Sequence, residues 1–325
     1  MEKLKLSLLQ KWDISDQYTF VHSTGILNDG RALIFTREAE VSDKYCVIMF
    51  SPSEVKKIAV CDCSDSGRNY PVFFMCGEGF GIIKDGKQIE YYRGDFSVPE
   101  IIPIKNGSLI SGKVIPEKAQ QRCFQVISDS SLIPVCFENK IYYGLARCFG
   151  LLDIDFEVKS AKWKSFLEID KKAFVNYDDS NDEMPKIDSL KIFDNEIYAF
   201  TSGESTTSVN KWGLDYYALA KISDKGKVTE KLIESDNLKS SGKKGGVNGT
   251  FTNSEYVIMT PLFKNDDWNG KQKVFSLSTG EYFDIGFPKG MAKHTLHNIS
   301  ENLCLTSLYN RGLREIAVCK IETVN

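Results

Sequence analysis

The stretch "SLKIFDNEIYAF", residues 189–200, decides the fold. Leu190 and Ile192 alternate with polar neighbours up to Asp194-Asn195, and Ile197, Ala199 and Phe200 resume the apolar positions beyond that pair. Period-two alternation marks a strand, and an Asp-Asn pair between two such runs marks a tight turn, so the stretch reads as a β-hairpin. Similar pieces recur: "GILNDGRALIF" about Asp29-Gly30, "VFFMCGEGFGII" about Gly77 to Gly79, "IIPIKNGSLISG" about Asn106-Gly107, "IPVCFENKIYYGL" about Asn139-Lys140, "GTFTNSEYVIM" about Asn253-Ser254 and "TLHNISENLCLTSL" about Glu301-Asn302.

Several of these hairpins are followed by a second pair of strands with its own tight turn, as in "YYALAKISDKGKVTEKLI" and "QKVFSLSTGEYFDIG". The unit is then a meander of four antiparallel strands, and the hairpins return at intervals of roughly 28 to 59 residues, straddling the ~40 to 50 residues of a propeller blade. In this repeat pattern the chain resembles β-propeller proteins over most of its length, without the recurring Trp-Asp dipeptide or other signature of a named family. The resemblance implies an all-β fold of six or seven four-stranded antiparallel blades in a single domain, residues 1–325. Seven hairpins count seven blades, while the cramped interval between the second and third leaves six open beside seven. The final repeat, "NLCLTSLYNRGLREIAVCKIETVN", stops one strand short, and "KLKLSLLQKW" at the N-terminus supplies a missing outer strand, so that N- and C-terminal strands close one blade. Two independent β-sandwiches would also give many short strands, but have no need for the same hairpin to return so often.

The composition is 42% hydrophobic and 26% charged with a formal net charge of −3, which describes a globular protein with ample core material. Such balance excludes the concentrated basic face of a nucleic-acid reader. Lys5 and Gln10 interrupt the apolar run of "MEKLKLSLLQKWDIS", which therefore lacks the pattern of a signal peptide, and no later window suits a membrane-spanning helix. The nine cysteines are odd in number and mostly sit in apolar runs such as "KYCVIMF" and "EIAVCKI". They read as free thiols in a reducing compartment, hence a cytoplasmic protein.

In an up-and-down meander the first and third turns lie at one end, and the second turn and the crossover to the next blade lie at the other. "FDNE", "SDKGK" and "LSTGE" are short first and third turns. The second turns and crossovers are long: "VNYDDSNDEMPK" (175–186), "TSGESTTSVNKWG" (201–213), "ESDNLKSSGKKGGVNG" (234–249) and "FKNDDWNGKQ" (263–272). They carry Tyr177, Trp212 and Trp268, the acids Asp178, Asp179, Asp182, Glu183, Asp266 and Asp267, and the bases Lys211, Lys243 and Lys244. Long loops on a rigid frame carry binding, and aromatic anchors amid charges suit another protein as partner. The plainer alternative folds both tryptophans back onto blade edges.

No motif implies a cofactor or a metal. "NDDWNG" from Asn265 imitates a calcium loop, but Ser276 stands where the bidentate Glu belongs. His294 and His297 in "HTLH" point to opposite faces of a strand. Cys61 and Cys63 in "CDC" lack further zinc ligands, and "GEGFG" and "SGKKGG" lack the context of a phosphate loop. With three histidines and no G-x-S-x-G elbow, nucleophilic hydrolysis has little to work with. One enzymatic alternative stands: His22, Glu100, Asp188, Asn248 and His294 recur a few residues before hairpin turns, on what should be innermost strands. There Glu100 and Asp188 would form a carboxylate pair for a carbohydrate hydrolase or lyase. The leading expectation is a non-catalytic protein-binding propeller, acting as a scaffold or as an inhibitor of the immunity-protein type.

Overall fold

The computed structural model describes residues 3–15, 17–39, 44–62, 71–84, 88–105, 109–110, 113–114, 119–120, 132–139, 146–168, 186–203, 216–235, 247–261 and 270–324; within 109–149, 165–188 and 202–216 it describes the backbone alone. After β1 (Lys3–Asp13), the strands β2 (Tyr18–Ile26), β3 (Ala32–Glu38), β4 (Lys44–Phe50) and β5 (Val55–Asp62) form an antiparallel sheet in chain order. The next set is β6 (Val72–Cys76), β7 (Gly79–Lys84), β8 (Gln88–Tyr92) and β9 (Glu100–Lys105). A separate pair, β10 (Leu109–Ile110) and β11 (Lys113–Val114), precedes the set β12 (Ala119–Gln120), β13 (Leu132–Asn139), β14 (Ala146–Asp155) and β15 (Ser160–Glu168). Then come β16 (Lys186–Phe193), β17 (Glu196–Gly203), β18 (Tyr216–Ile222) and β19 (Val228–Glu234). They are followed by β20 (Val247–Phe251), β21 (Tyr256–Pro261), β22 (Lys273–Ser276) and β23 (Tyr282–Gly286). The last set is β24 (Thr295–Ser300), β25 (Leu303–Tyr309) and β26 (Leu313–Val324), completed by β1, which lies antiparallel to β26 from Lys3↔Val324 to Asp13↔Glu315. Short parallel pairings, Ala161↔Ile104 and Leu4↔Ile285, join outer strands of neighbouring sets. Repeated four-stranded meanders without a helix among the described residues fit a β-propeller architecture.

Strands such as "KYCVIMF" are apolar on consecutive positions because both faces of each set are covered. Phe73 and Met75 pack with Phe35, Val47 and Met49 of the preceding set, whereas Val72 and Phe74 turn the other way, into a cluster that reaches Leu152, Leu190 and Ala199. Tyr198 and Phe200 meet Val257 and Phe275. Ile258 and Val274 meet Leu296 and Ala317, and Leu305 and Ile316 meet Ile34 and Ile48. That last cluster joins the final set to the first, so the succession of interfaces returns to its start. Alternation sends each strand's side chains to two different cores.

The first strands of the sets are also tied to one another by polar contacts. Ser189 Oγ donates to the Gly249 carbonyl at 2.8 Å, and the buried Lys191 ammonium donates to the carbonyls of Thr252 and Ser254. The Asn298 side chain accepts from Asn253 N at 2.9 Å and donates to the Thr24 carbonyl at 3.3 Å. Gly249 stands under the Phe200 ring, where a Cβ would lie 2.2 Å from ring carbons. A residue without a side chain is what lets the two sets close at that point.

Five of the expected hairpins join first and second strands: those at Asp29-Gly30, Gly77-Glu78, Asp194-Asn195, Asn253-Ser254 and Glu301-Asn302. In the opening stretch Asp194 and Asn195 both have positive φ, 49° and 59°, as a two-residue turn matched to strand twist requires. Two expectations are corrected. The turn signal Asn106-Gly107 does not join two strands of a set: β9 pairs with β8 and β15, and the chain then runs to the separate β10–β11 pair. The hairpin about Asn139 joins the second and third strands of its set, β13 and β14, with Asn139 opposite Ala146.

Candidate functional site

The strand pairing separates two ends of the molecule. At one end most of the first and third turns close tightly, the exception being the connection of residues 121–131 between β12 and β13, which lies outside the described residues, and several of the described turns spend polar side chains on themselves. Asp29 accepts from Arg31 N and pairs with the Arg31 guanidinium; the Ser51 hydroxyl accepts from Glu54 N; Asp95 accepts from Ser97 N; and Asp155 accepts from Glu157 N and Val158 N. Ser223 accepts from Lys225 N and Lys227 N, and Ser276 from Thr279 N. These are the local side-chain to backbone bonds that fix turns.

At the other end emerge the connections that follow β15, β17, β19 and β21, which contain every residue expected to bind a partner. Tyr177, Asp178, Asp179, Asp182, Glu183, Lys211, Trp212, Lys243, Lys244, Asp266, Asp267 and Trp268 all lie outside the described residues. Asn265, Cys63 and "SGKKGG" lie outside them as well. "GEGFG" is the β6–β7 turn and the start of β7.

Glu100 does not lie where the enzymatic constellation expects it. Glu100 opens β9, the outermost strand of its set and not the innermost, because β9 pairs with β8 on one side and with the outer strand β15 on the other. Its carboxylate is held by Lys159 at 3.2 Å and by Arg93. The Lys159 hydrogen bond, with Arg93 beside it, lowers its pKa, which suits a fixed ion pair and not a proton donor. Asp188 does lie on a first strand, β16, at an irregularity in the pairing between Ile187 and Ser189, and Asn248 lies exposed on β20. Glu100 and Asp188 therefore do not share the innermost strand position that such a carboxylate pair requires.

The histidines take separate places. His22 lies on β2 against the rings of Phe20, Tyr45 and Phe35; solvent reaches its edge, and burial by those rings, with the Arg37 charge second, pushes it down to about 4. His294 precedes β24, buried, with Nδ1 3.1 Å from Thr306 Oγ1 and Nε2 3.3 Å from Glu315. Burial lowers its pKa against the opposing pull of Glu315. Glu315 is also bound by Lys11 at 3.1 Å, so a polar chain runs across the last set from its first strand to its fourth. His297 shares a 2.6 Å hydrogen bond with Ser307 and is pushed down to about 4 by burial. The two histidines of "HTLH" thus serve different partners, and no metal-ligating group of three or more His, Cys, Asp or Glu residues occurs among the described residues.

Sequence reasoning passed over the residues around a cavity of about 520 Å³ at the long-loop end, between the β20–β23 set and the start of β24. Lys271, Gln272 and Lys293 line it. The available signal was the polar run "GKQK" directly after a long loop. A second cavity of about 360 Å³ lies at the seam between β1 and the Asn28–Gly30 turn, lined largely by Leu9, Trp12, Leu303 and Val318.

No protein-family model matches the chain, and no curated protein sequence matches it. Among solved structures, a chain of "Crystal Structure of Mitotic Checkpoint Complex" is similar with a TM-score of 0.46 and 8% identity, over 98% of this chain and 84% of that one. A likeness at that level carries no argument about this protein, and the architecture rests on the strand pairing and the core clusters.

Proposed function

We propose that residues 1–325 form one six-bladed propeller, closed by β1 beside β26, and that it is a non-catalytic binding protein holding a partner protein against its long-loop end. The blade count follows from taking each four-stranded meander as a blade. The observation that carries the function is the inequality of the two ends: one is built mostly of short turns, several of which use their polar groups locally, with the β12–β13 connection the long exception, and the other receives most of the long connections, with Trp212 and Trp268 among them. Trp212, Trp268 and Tyr177 act as anchors and the flanking Asp, Glu and Lys residues orient the partner. Such a frame serves as a scaffold, or as a cap that inhibits the protein it covers. The described cysteines 46, 61, 76, 304 and 319 are free thiols, which supports a reducing, cytoplasmic setting.

Affinity capture from host lysate with the wild type and the Trp212→Ala/Trp268→Ala variant tests this reading. A stoichiometric protein should be retained by the wild type and lost by a variant that melts at the same temperature. Equal capture by both, or no protein at all, contradicts it.

A further inference from the structure

The 520 Å³ cavity lies at the end proposed to hold the partner and has the makings of a small-molecule site whose test needs no partner present. Its size falls within the range of small-molecule pockets, roughly 300–1,000 Å³. One wall is apolar: Pro261 ends β21, Ile285 lies near the end of β23, and Phe287 follows on the crossover toward β24. All three are partly exposed.

The floor is fixed by Gln272. Its Oε1 accepts from Leu296 N at 2.7 Å, and its Nε2 donates to the Leu296 carbonyl at 3.0 Å and to Thr260 Oγ1 at 2.8 Å. The side-chain amide thus bonds the backbone of β24 as another strand would, and ties the two sets together beneath a cavity that the described residues leave open. A cleft held open before binding loses little entropy when it is filled.

The charge is one-sided. Among the described residues Lys271 and Lys293 line the cavity and are exposed, no Asp or Glu lines it, and neither ammonium has an ion-pair partner. Glu315, the carboxylate bonded to His294, is already engaged by His294 and Lys11. Two cations with no counter-ion among the described residues, in a cavity that also has an apolar wall, select a molecule with an anionic head and an apolar body.

We propose that this cleft binds an amphipathic organic anion, with a carboxylate or phosphate head between Lys271 and Lys293 and an aryl or branched alkyl body on Pro261, Ile285 and Phe287. Isothermal titration of the full chain with phenylacetate, phenyl phosphate and the neutral phenylacetamide tests it, beside the Lys271→Ala/Lys293→Ala variant and a Lys320→Ala control at the opposite end. One or both anions should bind, phenylacetamide at least about tenfold more weakly, and the double variant should lose about tenfold in affinity while Lys320→Ala loses none. Comparing the two anions identifies the preferred head. Binding of phenylacetamide equal to that of phenylacetate, affinity unchanged in the double variant, or no binding of either anion overturns the proposal. Both lysines are exposed, and an unchanged melting temperature verifies that the variant is folded.

Discussion

At the short-turn end, Asp155, Ser223 and Ser276 each bond the backbone of their own turn; at the long-loop end, Lys271 and Lys293 bond nothing among the described residues. Both ends cap the same strands, so the difference is not one of core packing. A turn that satisfies its own donors and acceptors has little left to offer a ligand, whereas a cation without a counter-ion is solvated and ready to exchange water for an anion. The lesson is that binding capacity in a repeat fold is read from unspent polar groups rather than from how many polar groups an end carries.

The comparison is sharpened first by a change that ought to affect both ends alike. Phe200→Ala removes a ring packed over Gly249 in the cluster between two sets, and should cost about 3–5 kcal/mol in urea unfolding. Because the frame is shared, the surviving folded fraction should keep both turn geometry and ligand binding. Selective loss of one end in this variant would break the idea of a common frame.

A pH change comes next. Burial holds His297 neutral, with its pKa down from 6.5 to about 4. Below pH 6.5 the unfolded chain takes up a proton that the folded one refuses, so the contribution of His297 to stability should be level above that pH, fall between about 6.5 and 4 by on the order of 2–3 kcal/mol, and change no further below, where the carboxylates with lowered pKa take over the decline. His22 and His294 are lowered as well, so His297→Gln should remove part of the slope. An unchanged slope in thermal melts across that window would show that His297 titrates normally.

The smallest effect tests the self-satisfied turns. Asp155→Ala deprives Glu157 N and Val158 N of their acceptor and should cost about 1 kcal/mol, with anion affinity at the far cleft unaltered. A loss of affinity there would mean that the two ends are coupled and that their contrast does not describe function.

What the sequence made legible was local. Asp194-Asn195, Asp29-Gly30 and Glu301-Asn302 announce hairpins because turn chemistry and alternation sit within a dozen residues of each other. The closing role of "KLKLSLLQKW" was legible too, since the final repeat lacked a strand. The order of strands within a sheet was not: Glu100 precedes a turn signal much as Asp188 does, yet pairing with β15 puts it at the rim. The set beginning at β12 escaped because that strand is only Ala119–Gln120, too short for periodicity to register. Polar residues on first strands were noticed, but Ser189, Lys191 and Asn298 bond neighbouring sets rather than a substrate, a use that only tertiary contacts distinguish. Lys191, only 4% exposed, looks like a surface residue in a half-buried strand until both faces of the sheet are seen to be covered.

Hydrogen exchange on the complex recovered by capture tests the central claim most directly. Backbone amides at the long-loop end, at Thr260, Gly270–Gln272, Ala292–Thr295 and Tyr309–Gly312, should slow when the partner is bound. Those of the turns at Leu27–Arg31, Asp194-Asn195, Ser223–Lys227 and Glu301-Asn302 should exchange as in the free protein. Protection confined to the short turns, with the long-loop end unchanged, would contradict the account.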